Sequence, residues 1–144
     1  MRALFDTSVL VAAMVQAHAR HQDARPWLER ALAGDIEYLV SAHTLAELFS
    51  VLTSLPTSPR TTPGTARRLI RENVEHPATI VPLTARDYAA VLNDMGELGL
   101  SGGVVYDALI ARAARKASAD RLLTLNPDDF RRVWPDGGSV ITGP

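Results

Sequence analysis

The chain contains no cysteine. That absence removes thiol catalysis, a zinc ribbon and a disulfide scaffold together, and a reducing cytoplasm is the compartment that fits. Long apolar runs are missing too: VLVAAMV is broken off by Gln16 and His18, well short of the ~20 residues that span a bilayer. A secretory leader needs a basic start and a small-residue cleavage site, and Asp6 interrupts this start at once. The expectation is a soluble, unprocessed, cytoplasmic protein with no membrane partner. Excess positive charge is also lacking, since 15 Lys and Arg stand against 16 Asp and Glu for a net charge of −1. A nucleic-acid partner would therefore have to be drawn by local patches and a metal ion, not by the charge of the whole chain. No repeat or low-complexity segment is present.

What is there suffices for one core. The 144 residues, 47% of them hydrophobic, match a single domain spanning 1–144. A chain of that size buries roughly 68–70% of its unfolded surface, so no structural metal is needed for folding.

Along the chain, apolar strand candidates alternate with helical patterns. MRALF reads as a short strand, with a turn at Asp6-Thr7-Ser8 and an apolar helix behind it. HQDARPWLERALAG reads as a helix carrying Trp27, Leu28, Ala31 and Leu32 on one side and stopped by Gly34. IEYLVS is a strand, and Leu45, Leu48, Phe49 and Leu52 at helical spacing predict an amphipathic helix. PTSPRTTPG has the composition of a loop. Beyond it come a helix over TARRLIRENVE, a strand over ATIVPL and a helix with Tyr88, Val91, Leu92 and Met95 inward and a start signal at Thr84 and Asp87. SGGVVYDALIARAARKA (helix), DRLLTL (strand), NPDDFRRV (helical turn) and GSVIT (strand) complete the chain. Five strand candidates alternating with helices predict an α/β fold, a three-layer α/β/α domain with a mainly parallel five-stranded sheet. Ligands of such sheets gather beyond the carboxyl ends of the strands. Asp6 falls at one such end, and Asn126 to Asp129 at another.

Each acid also has an ordinary structural role open to it. Asp6, followed by the hydroxyls of Thr7 and Ser8 that can support it, could simply cap the next helix, and a cap can still offer an oxygen to a metal. Glu47 completes a Thr44-x-x-Glu capping box, unless Ser41 is the cap and Glu47 lies inside the helix. Asp107 is placed past the first turn of its helix among Val104, Val105, Ala108, Leu109 and Ile110. There a carboxylate needs a partner, either a metal or a salt bridge to Arg112 or Arg115. In NPDDF, Asn126 can cap, Pro127 suits the first helical position and Asp129 favours the helix dipole. Convergence is what points to catalysis. Two carboxylates ~4 Å apart repel by about 4 kcal/mol at an effective dielectric of 20, so several at one sheet edge call for a cation. Without cysteine, an all-oxygen site suits Mg²⁺ or Mn²⁺, which would activate a water for phosphodiester hydrolysis.

LFDTSVLV, TLAELFSVL, VVYDALIARAA and LLTLNPDDF, in that order and covering nearly the whole chain, resemble the motifs of PIN-domain ribonucleases. Length and motif order are most similar to VapC-type toxins of bacterial type II toxin–antitoxin pairs. By that resemblance Asp6, Glu47 and Asp107 match the family's three central acids. Thr124, Asn126 and Asp129 occupy its final motif, with Asp128 competing with Asp129 for the fourth acid. The resemblance implies an endoribonuclease acting on RNA, Mg²⁺ or Mn²⁺ dependence, a homodimer, and a small antitoxin protein whose tail covers the active site. Asp6 and Asp107 are expected as direct metal ligands, with Glu47 closing the site and orienting a water. Arg112, Arg115 and Lys116 are the better placed of two basic clusters to meet RNA phosphates. The other, Arg67, Arg68 and Arg71, reads as a solvated face. His18, His21, His43 and His76 show no metal-ligand spacing and read as structural or exposed.

The rivals fit less well. An aspartyl-nucleophile phosphatase would want a second acid two residues after Asp6, where Ser8 stands, and a receiver domain would want an acidic pair and a late lysine. A catalytically silent PIN-like module binding RNA or a protein is the alternative, and the three central acids speak against it.

Overall fold

In the computed structural model, which describes residues 1–144, the five apolar segments form β1 (Arg2–Phe5), β2 (Glu37–Ser41), β3 (Thr79–Val81), β4 (Arg121–Leu123) and β5 (Ile141–Thr142). They pair in the order β3-β2-β1-β4-β5, every pair parallel. Parallel strands are covered on both faces, which is why Ala3, Leu4 and Phe5 form an unbroken apolar run and are fully buried. Alternation then sorts them. Ala3, Phe5, Tyr38, Val40 and Leu123 enter one core, and Leu4, Leu39, Val81, Leu122 and Ile141 the other.

The seven helices are α1 (Thr7–Met14), α2 (His21–Leu32), α3 (Ala42–Ser54), α4 (Pro63–Ile70), α5 (Ala85–Leu98), α6 (Val104–Lys116) and α7 (Pro127–Val133). The chain walks outward from β1 to β3, then crosses back to lay down β4 and β5 on the other side of β1. Crossovers are right-handed, so reversing the direction of travel puts the helices on the opposite face. Accordingly α1 to α4 supply residues to the core with Phe5, and α5 to α7 to the core with Leu4. The result is the α/β/α sandwich, with its switch point between β1 and β4.

Several local expectations are refined. The helix after the loop starts earlier than expected, at Pro63, because the Thr62 hydroxyl accepts from the Thr65 amide at 3.1 Å. It then widens into a π-turn over Arg71–Glu75, where the His76 amide reaches the Arg71 carbonyl. On α5 only Asp87, Val91 and Met95 are buried, while Tyr88 and Leu92, expected inward, are 44% and 61% exposed. Phe49 likewise stands out from α3. Each of these outer-layer helices has a sheet or a neighbour on one side only, so the buried stripe is narrower than the apolar stripe in sequence.

Thr84 and Asp87 form the capping box in full. Asp87 does more, because its carboxylate also receives Arg112 at 3.1 Å and Lys116 at 2.7 Å and so ties α6 to the start of α5. The Lys116 ammonium foremost, then the Thr84 amide, hold the Asp87 carboxyl well below the usual carboxylate range. A depressed native pKa gives stability that is present above the unfolded pKa and disappears as pH falls through the native one. Asp87→Asn is therefore expected to lower the melting temperature at pH 7. Melts across an acid series should show the gap to wild type shrinking steadily below about pH 4, where the unfolded carboxyl takes up its proton.

Candidate active site

Asp6 follows β1 in extended conformation and caps α1, its Oδ1 accepting the Thr7 amide at 2.7 Å. Oδ2 accepts the Ser8 hydroxyl at 2.6 Å and the Thr124 hydroxyl at 2.9 Å. Those two hydroxyls are anchored in turn. Ser8 Oγ accepts the Leu125 amide and Thr124 Oγ1 accepts the Asn126 amide, both at 3.0 Å. The loop after β4 is thus sewn to the end of β1, and a buried carboxylate, 4% exposed, sits at the seam.

Glu47 reaches the same place from α3. Ser41 holds the N-cap position, although its hydroxyl is buried and unbonded, so Glu47 lies inside the helix and no Thr44–Glu47 capping box forms. Thr44 instead lies buried within hydrogen-bonding distance of Thr7, whose single hydroxyl proton can go to Thr44 Oγ1 (3.3 Å) or Glu47 Oε1 (3.2 Å). His43, one turn before Glu47, brings its Nε2 within 3.3 Å of the same oxygen.

Asp107 comes from α6 and lies in its first turn rather than past it. The helix does not begin until Val104, because Gly102 takes a positive φ of 77° just before it. The salt-bridge reading of Asp107 lapses, since Arg112 is held by Asp87 and Arg115 lies over the Trp134 ring.

Asp6, Thr7, Ser8, Glu47, Asp107 and Asn126 line one open groove of about 470 Å³, walled by Val11, Val51 and Leu125. Burial is the largest influence raising the Asp107 carboxyl, to about 7, and the charges of Asp6, Asp129 and Glu47 push it the same way against Arg132. Asp6 and Glu47 are also raised, chiefly by burial, the first against its hydrogen bonds from Ser8 and Thr124, the second against His43. The acids therefore feel one another. They do not close into a ligand sphere, however: no three His, Asp or Glu side chains are arranged to hold one ion together. Two of the acids are tied to their own neighbours, Asp6 to Ser8 and Thr124 and Glu47 to Thr7 and His43.

The fourth position divides. Asn126 lines the groove, whereas Asp129 stands outside its lining, half exposed and 3.6 Å from Arg132, yet near enough to act on Asp107. Asp128 is almost fully exposed and pairs with Arg131 at 3.0 Å. The basic cluster on α6 is not brought to the groove, because Arg112 and Lys116 are engaged by Asp87 and Arg115 by Trp134. His18, in the groove wall, and His43, beside it, were read in the sequence only as structural or exposed, and Tyr106 beside the groove was not singled out. The spacing of His43 four residues before Glu47, on one helix face, was the available signal.

Residues 3–134 match the family described as PIN domain, and the chain belongs to that family. Within it, the chain is 36% identical over 118 residues to Ribonuclease VapC27 of Mycobacterium tuberculosis, covering 80% of this chain and 78% of the relative. It is 34% identical over 119 residues to Ribonuclease VapC40 of the same species, covering 83% and 82%. The fold is shared with VapBC2 from Rickettsia felis, crystallised bound to a DNA fragment from its promoter, at a TM-score of 0.66 and 19% identity over 100% of this chain and 99% of that one.

The raised Asp107 carboxyl has a measurable consequence in metal-free protein. A native pKa above the unfolded one gives stability that is complete below the unfolded value and is lost as pH rises through the native value. Wild type should thus weaken between about pH 4 and pH 7. Asp107→Asn removes that penalty, so in chelator the variant should melt higher than wild type at pH 8 and alike at pH 4.

Proposed function

We propose that this chain is a PIN-domain endoribonuclease, the toxin of a VapBC-type toxin–antitoxin pair, hydrolysing RNA phosphodiester bonds with Mg²⁺ or Mn²⁺. The observation that carries the reading is the convergence of Asp6, Glu47 and Asp107, from three separate elements, on one groove at the switch point of the sheet. Two relatives named ribonucleases, similar over four fifths of the chain, support it.

The residues fit a hard divalent ion. Apart from the His18 imidazole and the Asn126 amide, the polar side chains lining the groove offer oxygens, and Mg²⁺ is commonly held by one or two carboxylates while it keeps several waters. Asp6 and Asp107 would hold it, both carboxylates lining the groove. When bound, such an ion supplies Lewis acidity and charge neutralisation at the phosphodiester. Glu47 Oε1 is occupied by Thr7 and faces His43, which leaves Oε2 to orient a water and receive its proton. The raised pKa of Glu47 moves it toward the range of an effective general base. Asp129 completes the acidic surroundings through its effect on Asp107.

Two partners complete the proposal. A small antitoxin would cover the acidic groove, in keeping with the likeness to VapBC2. A second copy of the chain would cover the outer face of α5, where Tyr88 and Leu92 stand exposed one turn apart.

Asp107→Asn is expected to abolish Mg²⁺-dependent cleavage of single-stranded RNA with an unchanged circular dichroism spectrum, and an active variant would overturn the mechanism. Mg²⁺ titrated calorimetrically should bind more weakly to Asp129→Asn than to Asp128→Asn. In sedimentation, wild type should run as a dimer at micromolar concentration and Leu92→Glu as a 15.6 kDa monomer. A wild-type monomer would remove the α5 interface.

A further inference from the structure

Beside the acidic groove lies a second hollow of about 280 Å³, lined by His43, Ala46, Glu47, Ser50 and Tyr106. Its back is a pair of stacked rings. The His43 imidazole and the Tyr106 phenol lie 2° from parallel with centroids 5.2 Å apart, an offset stack of the kind aromatic pairs favour. Tyr106 is 51% exposed although it is one of only three tyrosines in the chain. Its position is tied to the chemistry on both sides: Tyr106 directly precedes Asp107 on α6, and His43 is one turn before Glu47 on α3. Glu47 lines both the hollow and the groove, so the two adjoin at that residue.

We infer that the Tyr106–His43 stack is a platform for one unpaired base of the RNA strand, next to the phosphate held in the acidic groove. The inference rests on the ribonuclease reading for its substrate and goes beyond it in naming where a base is gripped. A flat aromatic face that extends an existing stack suits a nucleobase, and stacking of this kind accepts any base because each has a π-face. The rest of the lining is Glu47, Ser50 and one alanine, polar groups able to meet a base edge. A protein side chain would instead call for a well-packed apolar pocket. Tyr106 thereby sets the register of the strand, and the site favours unpaired RNA because a paired base cannot reach the ring.

The test compares wild type with Tyr106→Ala, Tyr106→Phe and Tyr106→Trp on unstructured RNA oligonucleotides in Mg²⁺. Cleavage kinetics are read alongside the fluorescence of 2-aminopurine placed at successive positions, the latter in the Asp107→Asn background so that the strand stays whole. Stacking contributes about 1–3 kcal/mol per base, so Tyr106→Ala should raise KM roughly 5- to 150-fold with kcat little changed. Phe and Trp should retain the wild-type KM. One 2-aminopurine position should be quenched by every protein with a ring at 106 and by no other, and an abasic site there should cost wild type its advantage over Tyr106→Ala. Quenching without any cleavage by wild type would sink the ribonuclease reading and leave the platform standing. Quenching that survives Tyr106→Ala, or a fall in kcat alone with KM unchanged, would overturn the platform and make Tyr106 a positioning residue acting on Glu47 through His43.

Discussion

The acidic groove of this protein is built around a buried carboxylate that is held without a positive partner. Asp6 is satisfied by one amide and two hydroxyls, and each hydroxyl is itself held by an amide of the loop after β4. Buried charge is tolerated only when its hydrogen bonds are made, and each of these is worth more than one between neutral groups because the acceptor is ionised. Desolvation nevertheless outweighs them and raises the Asp6 pKa. Burial thus disfavours the charge on Asp6 even though its oxygens are hydrogen-bonded from both sides of the seam.

The same seam stands at the one place where the sheet topology opens a crevice. β1 and β4 are neighbours in the sheet but far apart in sequence, and the helices that follow them lie on opposite faces. No helix crosses over the gap between their carboxyl ends, and ligands of open α/β sheets settle there. Glu47 arrives from the β2 side and Asp107 from the start of α6, so three elements meet there with no local contact between their sequences. On the far side of α6, Asp87 takes Arg112 and Lys116. That clamp ties the helix bearing Asp107 to the start of α5.

Much of the fold was legible because hydrophobic periodicity is a local property. All five strand segments and the helical segments appear, and the Thr84–Asp87 start signal forms as read. Tyr88, Leu92 and Phe49 were misjudged because periodicity tells which residues share a helix side, not how wide a stripe the neighbouring layer will cover. The start of α6 was misplaced for a different reason. The glycines before it permit either a helical or a turn conformation, and only the positive φ of Gly102 settles where the helix begins.

By itself, then, the sequence determined the class of the domain, the parallel sheet, and which acids stand at strand ends or helix starts, since these follow from short-range patterns of apolar, capping and turn residues. Tertiary structure alone decided what those acids do to one another. It paired Asp87, not Asp107, with Arg112, and it put Asn126 in the groove wall with Asp129 outside it. It also raised Asp107, first by burial and then through charges up to 101 residues away, and laid Tyr106 against His43. Burial and Coulomb interaction depend on distance in space, and spacing along a chain does not supply that distance until the sheet has closed the loops between its strands.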